Sequence, residues 1–324
     1  MVGANVFIHA TQFPDAVRQQ LLESLRTRRI NHKFHYDSYK QAQKWLALHE
    51  AYSPARKDLD CLRIYEEAFK NATAGVGSEI HVIGLGCGGG QKEAALLRLL
   101  KNGTANVSYS PCDVASPLVL TARNAALEFV NAERCLPVVC DLAVADEMEN
   151  VFALKEGRQA KRLITFFGMI PNFEPSVILP KLKSLLRNED QLLFSANLAP
   201  SDDYGAGVQT ILTQYDNELT KEWLLTFLLD LGVERSDGEV VFTIEESADG
   251  YLRVVADFEF VNARKIRLEN ESFGFGPGEK VRLFFSYRYQ PNHIVEMLHE
   301  HGIEVVDRFA TLSGEEGVFV CRLI

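Results

Sequence analysis

Apolar residues fall in unbroken runs through the middle of the chain and in alternation near its end. Ile80 to Ile83, Arg162 to Phe167 and Gln191 to Ala196 are continuous or nearly so, which suits strands buried on both faces of a parallel sheet. Asn106 to Tyr109 and Leu136 to Leu142 supply two more strands. Between them the apolar positions take helical spacing. Ala94, Ala95, Leu97, Leu99 and Leu100 predict a helix over Gln91 to Leu100, and further helices are predicted over Pro117 to Val130 and Val177 to Leu186. Strand and helix in alternation predict an α/β fold, a parallel sheet with helices on both faces, from about His81 to Asn197.

The flanks read differently. Residues 13 to 30 predict an amphipathic helix opened by Pro14, with Leu21, Leu22 and Leu25 on its apolar side. Ser38 to Leu48 and Asp58 to Ala72 predict two more. A nucleotide fold needs none of these, so residues 1 to about 75 read as an N-terminal cap. After Asn197 the alternation stops. Val208 to Asp230 is mostly helical. Glu239 to Glu245 and Tyr251 to Val261 alternate about Ala248-Asp249-Gly250, a hairpin signal. In the strand Val281 to Tyr289, simple alternation puts Val281, Leu283, Phe285 and Tyr287 on one face and Arg282, Phe284, Ser286 and Arg288 on the other. A helix over Pro291 to His301 and strands over Ile303 to Phe309 and Gly317 to Leu323 close the chain as an antiparallel edge of the core sheet. The expected division is a Rossmann-like domain of residues 75–197 and 285–324, and an α+β substrate domain of residues 1–74 and 198–284.

Composition narrows the partners. The 324 residues are 47% hydrophobic and 24% charged, with a net charge of −10. A negative field disfavours a phosphate-rich nucleic acid. The one basic cluster, Arg26, Arg28, Arg29 and Lys33, reads as a solvated helix end. Six cysteines show no C-x-x-C pairing and no zinc spacing with the histidines, and no leader pattern opens the chain, so a cytoplasmic protein with reduced thiols and no metal is expected. No apolar run is long enough to span a membrane. The oligomeric state, monomer or dimer, stays open.

The candidate chemistry centres on Gly84-Leu85-Gly86-Cys87-Gly88-Gly89-Gly90, which follows a strand and opens a helix. Glycines let backbone approach a ligand, and the helix start presents free N–H groups. Alone, such a loop also fits a tight turn without ligand or a dinucleotide site. Asp113, at the end of the second strand, is placed to accept hydrogen bonds from ribose hydroxyls, and Asp141 ends the third. Loop, ribose acid and third-strand acid, in that order, resemble the nucleoside-binding half of an S-adenosyl-L-methionine (SAM) methyltransferase. Gly84 stands where such loops usually carry an acidic residue.

Several stretches together resemble the histidine-specific SAM methyltransferase family, which includes the histidine Nα-trimethylating enzyme of ergothioneine biosynthesis. They are Lys33-Phe34-His35-Tyr36-Asp37, Glu50-Ala51-Tyr52-Ser53-Pro54-Ala55-Arg56, Leu85 to Lys92, Tyr109 to Val114, Phe166 to Pro175, Tyr215-Asp216-Asn217, and Glu279-Lys280-Val281-Arg282 with Ser286-Tyr287-Arg288-Tyr289. The resemblance implies SAM contacts from Tyr36, Gly86, Gly88, Lys92, Asp113, Asp141 and Leu142. It implies that Asn172 and Tyr215 hold the α-amino and α-carboxylate ends of an amino acid, with Ser286 and position 284 in the side-chain pocket. Tyr36, Tyr52 and Tyr215 are candidates for orienting the acceptor or taking its proton. The family places a glutamate two residues before its pocket serine, where this chain has Phe284; phenylalanine cannot make the charge-assisted hydrogen bond that imidazole would receive. Ala51 and Pro171 also depart from the family pattern. The reading that follows is a methyltransferase of a small-molecule amine or amino acid other than histidine. O- or C-methylation of another metabolite, SAM binding without turnover, and an NAD dehydrogenase are the alternatives.

Overall fold

The computed structural model describes residues 3–53, 57–74, 77–103, 106–153 and 161–324. Among them the strands are β1 (Phe7–Ile8), β2 (Glu79–Leu85), β3 (Asn106–Asp113), β4 (Val138–Val139), β5 (Lys161–Phe167), β6 (Gln191–Asn197), β7 (Gly238–Glu246), β8 (Leu252–Phe260), β9 (Arg264–Leu268), β10 (Glu271–Phe275), β11 (Lys280–Tyr287), β12 (Ile303–Ala310) and β13 (Glu316–Leu323). The chain divides into two compact units, residues 1–12, 54–198 and 289–324 in one, residues 13–53 and 199–288 in the other.

The first unit is an eight-stranded sheet in the order β1-β4-β3-β2-β5-β6-β13-β12. β2 pairs in parallel with β3 on one edge and β5 on the other. The strand order therefore reverses at β2, and ligands of open α/β sheets bind at such a reversal, outside the carboxyl ends of the strands. β13 runs antiparallel to β6 and β12 antiparallel to β13, the closing edge that alternation at the end of the chain predicts. The second predicted strand is longer than its apolar run, because pairing with β2 continues through Gly84↔Pro111 and Leu85↔Cys112. Asp113 is thus the last residue of β3. The third is shorter, only Val138–Val139. On one face Ile80, Val82, Tyr109 and Leu163 pack against Leu96, Leu97 and Leu100 of the helix Gln91–Gly103. Ile64, Tyr65, Ala68 and Phe69 of the helix Leu59–Thr73 join the same core. Phe7–Ile8 adds an edge strand parallel to Val138–Val139. Thus two N-terminal pieces, residues 7–8 and 59–73, pack within the sheet unit.

The second unit holds an antiparallel sheet in the order β11-β8-β7, a separate hairpin of β9 and β10, and the helices Pro14–Thr27, Tyr39–Tyr52, Tyr204–Tyr215 and Glu218–Asp230. The last two come from the run read as one helix over Val208 to Asp230. Asn217 caps the second by accepting the Thr220 amide at 3.0 Å, which ends the first. A correction falls in β11. Arg282 pairs with Asp257 but Phe284 with Ala256, so Leu283 is an extra, bulged residue. Val281 therefore shares a face with Phe284 and Ser286, while Arg282 shares one with Phe285 and Tyr287. The partners agree. Arg282 Nε lies 2.5 Å from Asp257 Oδ1, and the Arg253 guanidinium lies 5.0 Å over Phe285 and 5.2 Å over Tyr287. No helix among the described residues is long and apolar enough to cross a membrane.

Candidate functional site

Two glycines give the loop after β2 its shape. Gly86 takes φ +65° and Gly90 φ +74°, left-handed values that favour glycine. A Cβ at Gly86 would stand 2.5 Å from Met169 Cε, and one at Gly90 2.6 Å from Ala122 Cα, on the helix Ser116–Ala126. The first glycine lets backbone approach closely at the strand end; the second lets two helices pack. The loop is pinned by Cys87 N to Cys112 O at 3.0 Å and Gly90 N to Cys87 O at 2.8 Å.

Asp113 is tied to this loop. Its Oδ2 accepts the Gly88 amide at 3.0 Å and its Oδ1 the Ala115 amide at 3.1 Å. Burial pushes its carboxyl up to about 6, with the Gly88, Ala115 and Val114 amides pulling the other way. Each carboxylate oxygen carries a second acceptor site. The Asp113 carbonyl accepts the Cys140 amide at 2.9 Å, which brings Asp141 and the buried Leu142 alongside. Asp141 Oδ1 accepts the Ala143 amide at 3.0 Å, and the Asp141 amide donates to Thr11 Oγ1 at 3.2 Å. Gly86, Gly88, Asp113, Asp141 and Leu142 are thus gathered at the carboxyl ends of β2 to β4. A backbone cradle that a Cβ would fill, beside a buried carboxylate with acceptor sites to spare, fits a nucleoside with ribose hydroxyls.

Lys92 takes a different neighbourhood. Its Nζ donates to the Tyr65 hydroxyl at 2.5 Å and lies 3.5 Å from Glu316 Oε1. The Tyr65 hydroxyl lies 2.7 Å from Ser195 Oγ and 2.5 Å from Glu316 Oε1, and Ser195 Oγ accepts the Gly168 amide at 3.0 Å. Burial, with Glu316 next to it, pushes the Tyr65 hydroxyl well above its ordinary value. Sequence reading misses Tyr65, Ser195 and Glu316, because nothing local marks a network that joins residues so far apart. Asn172 ends a single 3₁₀ turn, Ile170–Asn172, its amide donating to Met169 O at 3.0 Å; Met169 is the residue whose side chain faces Gly86.

In the second unit Tyr215, Phe284 and Ser286 come together. The Tyr215 hydroxyl donates to Ser286 Oγ at 2.8 Å and accepts from Arg288 Nη2 at 2.5 Å. The Phe284 ring stacks on His32 at 5.1 Å, meets Trp223 at 5.8 Å and lies 6.0 Å from the Tyr215 ring. Tyr36 packs at 5.4 Å from Trp223 and 5.8 Å from Trp45. Behind this wall Trp223 Nε1 donates to His35 O at 2.7 Å, and His35 Nε2, 2.7 Å from Leu283 O, donates in turn. Burial pushes His35 down to about 4. Tyr52 closes the helix Tyr39–Tyr52 and is 56% exposed, and its side chain makes no hydrogen bond or ring contact among the described residues. Pro54, Ala55 and Arg56 of the Glu50 to Arg56 stretch lie outside those residues. Arg288, Trp223 and His32 escape sequence reading as site residues, although Arg288 stands inside a stretch that carries the family resemblance.

The N-methyltransferase imqF of Aspergillus flavus is 24% identical over 289 residues, covering 85% of this chain and 75% of that protein. Among solved structures, the CcbJ methyltransferase of Streptomyces caelestis is 16% identical over 80% of this chain and 95% of its own, with a TM-score of 0.42. The 1,6-didemethyltoxoflavin-N1-methyltransferase of Burkholderia thailandensis is 14% identical over 88% of each chain, with a TM-score of 0.43. At those scores the fold assignment rests on the strand order above. The family model described as histidine-specific, SAM-dependent methyltransferase matches residues 15–233, well over half of the 324, so the chain belongs to the histidine-specific SAM-dependent methyltransferase family.

Proposed function

We propose that this methyltransferase transfers the SAM methyl group to the amine of a small molecule, an amino acid or related metabolite, and that histidine is not its substrate. The first unit holds SAM and the second the acceptor. The SAM role goes to residues 1–12, 54–198 and 289–324, and the acceptor role to residues 13–53 and 199–288. The observation that carries the reading is the buried Phe284 side chain, walled by His32, Trp223 and Tyr215, where a basic ring would need a carboxylate. The name of the A. flavus relative supports an amine as acceptor.

When bound, SAM supplies an activated methyl group, so the protein's task is positioning. Gly86 and Gly88 would cradle the methionyl portion, Asp113 accept the ribose hydroxyls, and Asp141 with Leu142 flank the base. Lys92 would present its ammonium to the cofactor's carboxylate. Tyr215 would hold a polar end of the acceptor beside Ser286. An ammonium must lose its proton before attack; a desolvated pocket lowers an amine's pKa and helps that loss, with Tyr36, Tyr52 and Tyr215 as the groups nearest in role. The six cysteines, all buried and unbonded, suit a reducing cytoplasm.

The test incubates purified protein with methyl-labelled SAM and a panel of amino acids, amines, phenols and carboxylic acids, with products read by mass spectrometry. Label on nitrogen of a non-histidine amine supports the proposal. Histidine outrunning every other acceptor, or label on oxygen or carbon alone, overturns it.

A further inference from the structure

We infer that Arg288 is the carboxylate-recognition residue of the acceptor pocket, so that the methylated molecule carries a carboxylate beside an apolar body. The inference rests on the reading that the second unit holds the acceptor. Arg288 is 6% exposed, and its Nε has no hydrogen-bond partner. Among the described residues no carboxylate forms an ion pair with it. Of the three other buried arginines, Arg162 is paired with Asp190 and Arg253 with Glu245, while Arg123 on the helix Ser116–Ala126 forms no ion pair among the described residues and has no orphaned buried nitrogen. A guanidinium stays protonated in proteins, and burying one without a counter-charge is costly. A ligand that brings the counter-charge removes that cost.

The surroundings say which anion. Arg288 Nη2 donates to the Tyr215 hydroxyl at 2.5 Å, which donates on to Ser286 Oγ at 2.8 Å. The guanidinium stands 5.3 Å from the Tyr215 ring centroid. The fork of Arg288, with the unpartnered Nε as one prong, matches the two oxygens of a carboxylate, and the Ser286 hydroxyl can supply a third donor. Phe284, Trp223 and His32 give the adjoining wall, which suits an aliphatic or aromatic body. The charge of this pocket is therefore positive, opposite to one built around a glutamate at position 284.

The experiment is calorimetry on the full chain with S-adenosylhomocysteine present. The probes are the apolar and aromatic amino acids, each with its amide and its decarboxylated amine, together with 3-phenylpropionate. The best acid is expected to bind about tenfold or more tightly than its amide, the range of a charge-assisted hydrogen bond. Arg288→Met should erase that difference and Arg288→Lys should keep part of it. An amide bound as well as its acid, no acid bound at all, or an Arg288→Met protein that still prefers acids overturns the inference. The wild-type acid–amide comparison decides even if Arg288→Met does not fold. Labelled turnover on the same probes separates the two claims. Acid binding with no methylated amine sinks the amine reading and leaves the carboxylate site standing; methylation indifferent to the carboxylate does the reverse.

Discussion

Replacing each of the two strained glycines by alanine separates the two jobs of the loop. Both substitutions force a non-glycine residue into a left-handed conformation, which costs about 1–2 kcal/mol. The obstacles differ. At Gly86 the new methyl meets the thioether end of Met169, a flexible chain that can swing away. At Gly90 it meets Ala122 Cα at 2.6 Å and Cβ at 2.8 Å, so the helix Ser116–Ala126 itself must retreat by about 1 Å, an overpacking term of about 1–3 kcal/mol. Gly86→Ala should therefore destabilise the first unit by about 1–2 kcal/mol and Gly90→Ala by about 2–5 kcal/mol. Gly103→Ala, where nothing lies within 4 Å, should stay within about 0.5 kcal/mol. Both tryptophans, Trp45 and Trp223, lie in the other unit, so intrinsic fluorescence is the wrong probe. Hydrogen exchange of the β2 and Gln91–Gly103 amides reads the change directly. A Gly86→Ala cost equal to or above that of Gly90→Ala refutes the reasoning, as does a Gly86→Ala penalty that Met169→Ala largely removes in a double-mutant cycle, since the cost is assigned to the backbone and not to the collision.

Three further outcomes are expected. His35, pushed down to about 4 by burial, binds its proton more readily in the unfolded chain; its contribution is full above pH about 6.5 and falls as pH drops toward 4, by about 3 kcal/mol, and His32, pushed down to about 3 by burial, adds to the loss in the same sense. Urea unfolding followed by fluorescence of Trp223, bonded to His35 O, should show that loss, and a flat profile between those pH values contradicts it. Glu93, raised by burial to about 7, works in the opposite sense. Its contribution is lost as pH rises from about 4.5 to 7, so Glu93→Gln should gain about 3 kcal/mol at pH 8 and nothing at pH 4, measured by urea unfolding with circular dichroism. Phe284→Glu should raise histidine affinity and lower that of apolar amino acids by about tenfold each; calorimetry showing neither change would remove Phe284 from the pocket.

What could be read from the chain beforehand followed range. Strand, loop and helix units declare themselves through local periodicity, and the strands Glu79–Leu85, Lys161–Phe167 and Gln191–Asn197 begin and end within a residue or two of their apolar runs. The faces of β11 were not legible. A bulge adds one residue to one strand alone, and the register that reveals it, Arg282↔Asp257 then Phe284↔Ala256, depends on a partner strand over twenty residues away. Arg288 was unreadable as a site residue for the same kind of reason. Its significance lies in the lack of an ion pair to it among the described residues and in a hydroxyl 73 positions back in the chain.

Gly84 shows how a departure in the sequence can be answered by a residue elsewhere. The position usually acidic in methyltransferase loops is glycine here, and the space in front of it is taken. A Cβ at Gly84 would sit 3.0 Å from the Tyr109 hydroxyl and 3.3 Å from Glu93 Cγ. Glu93 is 3% exposed and accepts the Thr165 hydroxyl at 3.0 Å, so a buried carboxyl does reach the base of the loop, entering from the helix Gln91–Gly103. A buried carboxyl thus stands beside Gly84, and the glycine leaves room for it. An acidic side chain at both positions would set two carboxyls against each other, with the Lys92 ammonium to divide between them. Gly84→Asp should therefore destabilise the first unit, and adding Glu93→Gln should recover more than the gain Glu93→Gln gives alone, because it removes the charge that the first change collides with.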